Sequence, residues 1–269
     1  MLEVLLKALV AAGLLVVGAT YARGSCRLRA AGYAAPRWRL ALYAAGLATI
    51  AGALLSPLDA LAAQRFSAHM GQHLLLTMVA APLLVLGNPL PLVLWGVPAG
   101  LRRALGTTLR RRARLRTALS ALTFLPVGGI LHVATVWVWH LPFVYDAAAE
   151  HELVHAVEHA TFFSTAILFW WPIVQPAPRL RPPPHPGLQI LYLVLATAQN
   201  TALGMLLAVP ERAWYPYYVR KAAALGINAV DDQLLGAGLM WSGGHMYLLP
   251  ILLILWGLAR DAVRDATVP

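Results

Sequence analysis

Five of the nine histidines in this 269-residue chain recur at helical spacing. His69 and His73 are four residues apart, and His151, His155 and His159 repeat that interval twice. Residues four apart on an α-helix share a face, with Cβ atoms about 6 Å apart. Two imidazoles so placed can ligate one ion. At 1.5 Å rise per residue, His159 stands roughly 12 Å from His151, too far to share an ion easily. A single site would therefore take two of these three together with ligands from another helix, whereas all three would form a ladder. Neutral imidazole suits copper, zinc, iron or nickel, and methionine sulfur biases a site towards Cu(I). Met70 adjoins His69, while Met240 and Met246 flank the His245 region. Taken singly, His132 and His245 are as readily polar packing residues bonded across helices. The methionines, taken singly, are ordinary core residues.

His155-Ala-Val-Glu158-His159 also matches H-x-x-E-H, in which two histidines hold zinc and the glutamate acts as base. An intramembrane zinc hydrolase is thus a second reading, although no nucleophile or oxyanion site accompanies the motif. Glu158 can equally orient a ligating histidine or accept a proton as a metal arrives. A retinal-type photoreceptor lacks its lysine in the last span, and a diheme protein needs histidines paired across helices at two depths.

The elements that must position these residues are membrane helices. Hydrophobic residues make up 59% of the chain and charged ones 12%, against about 25% charged in soluble domains. Apolar runs of at least about 18–20 residues predict seven spans, near 2–21, 37–55, 67–86, 117–139, 150–174, 188–209 and 232–258. Leu90 to Val97 is too short to cross and is expected as a turn or interfacial segment. Pro176 to Gly187 holds six prolines and cannot be helical throughout. The net charge of +10 sits between spans as topogenic charge, with no role for nucleic acid. Cys26 is the only cysteine, which excludes an internal disulfide or a CxxC pair. One domain covers residues 1–269.

Alternate connections of seven spans fall on opposite faces. Sixteen of the 21 Lys and Arg fall on one face: the first connection, the Arg102–Arg116 stretch, the proline loop and the C-terminus. The positive-inside rule makes that face cytoplasmic, with the N-terminus out and the C-terminus in. The acids concentrate opposite: Glu3, Asp59, Asp146, Glu150, Glu152, Glu158, Glu211, Asp231 and Asp232. An acidic outer mouth attracts cations. His69, His73, His140, His151, His155 and His159 then lie in the outer half.

Four ordered stretches resemble the CtaG family of polytopic cytochrome c oxidase assembly factors. They are Phe66 to His73, His140 to Tyr145, His155 to His159, and Asp232-Gln233 through Met240-Trp241. The resemblance implies a role in maturing a heme–copper oxidase through copper supply on the outer side. It also implies site residues His69, Met70, His73, His140, His155, His159 and Asp232; His151 is outside that pattern. Gly236-Ala237-Gly238 stands where adjacent glycines are expected.

The expectation is an all-α seven-helix protein of the bacterial cytoplasmic membrane that is not an enzyme. Its copper site, holding Cu(I), comprises His69, His73, His140, His151, His155, His159 and Met70. Glu158, Asp231, Asp232, His132, His245, Met240 and Met246 support it. The expected partners are the lipid bilayer, heme–copper oxidase subunits and a periplasmic copper chaperone. The alternative is the zinc hydrolase using His155, Glu158 and His159.

Overall fold

A computed structural model describes residues 1–108 and 114–267, with side chains as far as Asp261. Residues 109–113, within the arginine-rich stretch, residues 268–269, and the side chain of Arg264 lie outside the described residues. The described chain is all-helical, without strands. In order the helices are α1 (Leu2–Ala30), α2 (Arg37–Leu54), α3 (Pro57–Ala62), α4 (Phe66–Leu86) and α5 (Pro89–Gly96). There follow α6 (Ala99–Thr108), α7 (Arg114–Leu122), α8 (Leu125–Trp139), α9 (Pro142–Glu150) and α10 (Glu152–Val174). The chain ends with α11 (Pro186–Ala208), α12 (Pro216–Leu225), α13 (Ala229–Gly244) and α14 (Leu248–Thr267).

Four helices are long and apolar enough to cross a bilayer: α1, α4, α11 and the run Ala229–Asp261 through α13 and α14. The α7–α8 pair makes a fifth if its halves count as one span. That pair departs from the straight helix expected from Thr117, because it bends by 65°. Phe124 is extended at the break, and Pro126 in the first turn of α8 has no N–H to continue α7. The last run is also interrupted, by a 3₁₀ turn at His245–Tyr247 directly after Gly243-Gly244.

Two features of the interior matter for the site. In α4 the turn Leu75–Ala80 is a π-helix. Pro82 lacks the N–H that an i→i−5 bond to Thr77 would use, and Trp170 Nε1 donates to that carbonyl instead, at 2.9 Å. The short segment after α4 is a true helix, α5, packed along α1 rather than a bare turn. The backbones meet through glycine: a Cβ on Gly24 would stand 1.7 Å from Leu92 O, and one on Gly96 would stand 1.9 Å from Thr20 O.

Charges separate to the two ends of the bundle. At one end Arg27 donates to the carbonyls of Trp95 and Val97, Arg116 to Arg179 O, and Arg181 to Ser120 O. Asn88 Oδ1 accepts from Ala177 N there, joining the α4–α5 turn to the proline loop. At the other end Lys7 pairs with Asp59 at 2.8 Å, and Arg220 pairs with Glu150. The histidine-bearing ends of α4 and α10 lie near this second set.

Candidate metal centre

The site begins with the placement of α4. Arg65 at its N-cap provides no side-chain cap, so the first N–H groups of α4 need an acceptor from elsewhere. Asp232, near the start of α13, supplies it: Oδ2 accepts from Phe66 N at 2.7 Å, and Oδ1 accepts from Ser67 Oγ at 2.5 Å. A carboxylate also complements the positive end of the helix dipole. Asp232 is therefore a positioning group for α4. Gln72 ties the same helix down, donating Nε2 to Ala53 O at 2.8 Å and to Asp59 Oδ1 at 2.9 Å.

So held, α4 presents His69 and His73 to Glu158 and His159 of α10. All four side chains are buried, and one ligand atom from each lies within 4.8 Å of all the others. His69 Nε2 is 3.4 Å from Glu158 Oε2, and His73 Nε2 is 3.5 Å from Oε1. Two ligands each about 2.1 Å from a shared tetrahedral ion stand about 3.4 Å apart, so these two pairs already have ligand spacing.

The tautomer of His69 follows from its neighbour. The Tyr218 hydroxyl donates its one proton to Ala62 O at 2.8 Å, so it must accept from the Nδ1–H of His69, also at 2.8 Å. The neutral imidazole then carries a bare lone pair at Nε2. That lone pair faces a carboxylate oxygen, and neither atom has a hydrogen-bond partner. The second carboxylate oxygen, both nitrogens of His73 and Nε2 of His159 are likewise buried without a partner. Buried acceptors facing one another are costly unless a positive charge, proton or metal ion, lies between them. Three imidazoles and one carboxylate, with His69 oriented from its far nitrogen, fit the donor set of a metal site.

The remaining residues sort by distance from this cluster. His155 is half-buried beside it, its ring 4.2 Å from that of His159 and 5.0 Å from that of His69. His151 does not continue the stack expected on one helix. It is the N-cap of α10, extended (φ −124°, ψ 112°) and exposed, because α9 ends at Glu150 and the chain turns there. Asp231, His245 and Met246 are exposed and outside the cluster, with His245 Nδ1 bonded to Trp241 O. His140, Met70, His132 and Met240 line a separate small cavity that touches the cluster only through His73. In the H-x-x-E-H stretch, Glu158 and His159 belong to the four-residue set and His155 stands beside it.

A crevice of about 610 Å³ between α1 and the bundle leads to this point. Its walls include Glu3, Lys7, Asp59, Glu152, His155 and His159, and its deeper lining is apolar. Charged groups stand at its mouth and His155 and His159 on its wall, with Glu158 buried behind them.

The sequence profile described as the cytochrome c oxidase caa3 assembly factor family, Caa3_CtaG, matches residues 19–261. The chain belongs to that family. Similar proteins named as uncharacterized occur in Mycobacterium bovis and Mycobacterium tuberculosis, each 26% identical over 266 residues, and in Mycobacterium leprae, 25% identical over 262. Each alignment covers 96% of this chain and 39% of the relative, so this Caa3_CtaG chain spans about two fifths of the length of those proteins. No solved structure matches.

Tyr218, Gln72 and the Gln72–Asp59 contact belong to no spacing pattern in this family member and emerge only from the structure. Tyr218 lies on α12, between the sixth and seventh expected spans. The run Trp214-Tyr215-Pro216-Tyr217-Tyr218 was the available signal, since such aromatic density in a bare loop is unusual.

Proposed function

We propose that this Caa3_CtaG protein binds copper in the His69, His73, Glu158 and His159 cluster and delivers it to a heme–copper oxidase during assembly. The observation that carries the reading is the lone pair of His69 Nε2, fixed by Tyr218 and aimed at a buried Glu158 oxygen, neither atom having a hydrogen-bond partner among the described residues. Adding α2 and α10 to the five apolar spans gives seven. The positive-inside rule then turns the arginine-rich end to the cytoplasm and the crevice outward, at a bacterial cytoplasmic membrane. Copper arrives as Cu(I), from a periplasmic copper chaperone or directly. It is attracted by the carboxylates at the mouth, meets His155 first, and passes to the cluster. Three neutral imidazoles suit Cu(I), and the Glu158 carboxylate offsets the incoming charge. Release is ligand exchange with an oxidase subunit docked in the membrane. No bond in a substrate is broken, so the role is not catalytic.

The test is metal analysis of detergent-purified protein together with oxidase maturation in cells, wild type against His155→Ala/His159→Ala. Loss from the variant of the copper held by this cluster in the wild type, with immature oxidase, is the expected result. Stoichiometric zinc with ester or lipid hydrolysis would replace the reading with the hydrolase. A double variant that binds copper normally and still matures the oxidase would overturn the site.

A further inference from the structure

A second site lies one helical turn further along α4. Between α4, α8, α10, α11 and α13 is a cavity of about 30 Å³ whose walls include His73, His132, His140, Met70, Met240 and Asn200. A space of that size holds one water molecule or one ion. Three histidines border it in the middle of an apolar bundle, where each ionisable side chain costs insertion energy.

The protons on these walls can be assigned. His140 Nδ1 is 2.6 Å from Val136 O, and a carbonyl only accepts, so Nδ1 carries the hydrogen. The bare lone pair is then at His140 Nε2, which is buried with no partner. Thr165 gives its hydroxyl proton to Thr161 O at 2.8 Å and so accepts from Nδ1 of His132 at 3.2 Å. This leaves the lone pair of His132 at Nε2 as well. Thr77, which also borders the cavity, spends its hydroxyl on His73 O at 2.7 Å. His73 has no hydrogen bond at either ring nitrogen. The chamber is therefore bordered by imidazoles with a free lone pair and by thioethers, with no carboxylate among its lining residues. That is soft, neutral ligation, whereas the first cluster is nitrogen and carboxylate oxygen.

We propose that this chamber is a second metal station, selective for a soft monovalent cation, held by His140, Met70 and Met240 with His132 and His73 beside them. The inference rests on the first cluster being a copper site and divides the protein's ligands into two stations that border on His73, whose single lone pair serves one of them at a time. Cu(I) moves between them by ligand exchange at the His73 ring, with no electron transferred and no change of oxidation state. Because no carboxylate is present, divalent zinc is disfavoured in the inner station and the route filters for Cu(I).

The test uses the full chain in detergent, titrated with Cu(I) against a chromophoric Cu(I) chelator and separately with Ag(I), with X-ray absorption on the copper-loaded form. The wild type is expected to take two equivalents with a sulfur shell around part of the copper. Met70→Leu/Met240→Leu keeps side-chain volume and should hold one equivalent with nitrogen and oxygen neighbours only; that remaining equivalent also reports a folded protein. His140→Asn removes a ligand without touching either methionine and should likewise lose one equivalent. Met246→Leu, at an exposed methionine, should keep both. One equivalent in the wild type with no sulfur neighbour overturns the second station and leaves the first standing. Two equivalents retained by the methionine double variant overturns it as well. No copper at all removes both readings.

Discussion

Replacing Glu158 with glutamine tests the reasoning about the first cluster most directly. The side chain is fully buried, and its oxygens lie 3.4 and 3.5 Å from two imidazole nitrogens. Glutamine keeps the shape and removes the charge. A unit charge pair about 4 Å apart is worth about 4 kcal/mol at an effective dielectric of about 20. Part of that is recovered in the variant, because the glutamine carbonyl oxygen can still face the ion. A net loss of about 3–4 kcal/mol corresponds to copper binding weaker by ~100- to 1,000-fold. The metal-free protein should move the other way, since the variant no longer buries two oxygens that lack donors, and should melt no lower than the wild type. Chelator competition gives the affinity, and thermal unfolding with and without copper gives the stabilities. An affinity within about threefold of wild type, with the same copper-dependent rise in Tm, would refute the view that this carboxylate faces the ion.

Three further outcomes follow from single contacts. Tyr218→Phe frees Nδ1 of His69 and is expected to weaken copper binding by about 10- to 100-fold while leaving stoichiometry intact, read by the same competition. Asp232→Ala removes the acceptor for Phe66 and Ser67 and should destabilise the protein by about 2–3 kcal/mol, read as a drop in Tm; Asp232→Asn should recover part of it. Gly96→Val forces side-chain atoms into Thr20 O at the α1–α5 crossing, and should destabilise the protein by about 1–3 kcal/mol, read as a lower Tm, without changing copper stoichiometry.

Much of this protein is legible in one dimension because the relevant signals are local. Apolar runs between arginine clusters report membrane helices, and the intervals 69/73 and 155/159 place pairs of imidazoles on common faces. Local spacing also misled at His151. The interval continues through it, but the helix does not, because α9 and α10 meet at an extended residue that no periodicity marks. The 65° bend at Phe124 was signalled by Pro126, yet apolar composition runs straight through it.

The sequence alone determined the ligand inventory, the helical periodicity and the family, all of which depend on residue types and their intervals. Tertiary structure decided which ligands meet. His73 and Glu158 are 85 residues apart in sequence, and their approach depends on Asp232 capping α4, on Gln72 clamping it, and on the packing of α4 against α10. Only tertiary structure separated His69, His73, Glu158 and His159 from the chamber of His140 and the methionines. It also fixed the lone pair of His69, through a tyrosine 149 residues away whose own proton is held by a third segment. Such contacts leave no periodic trace, because they are set by how helices cross rather than by where residues recur.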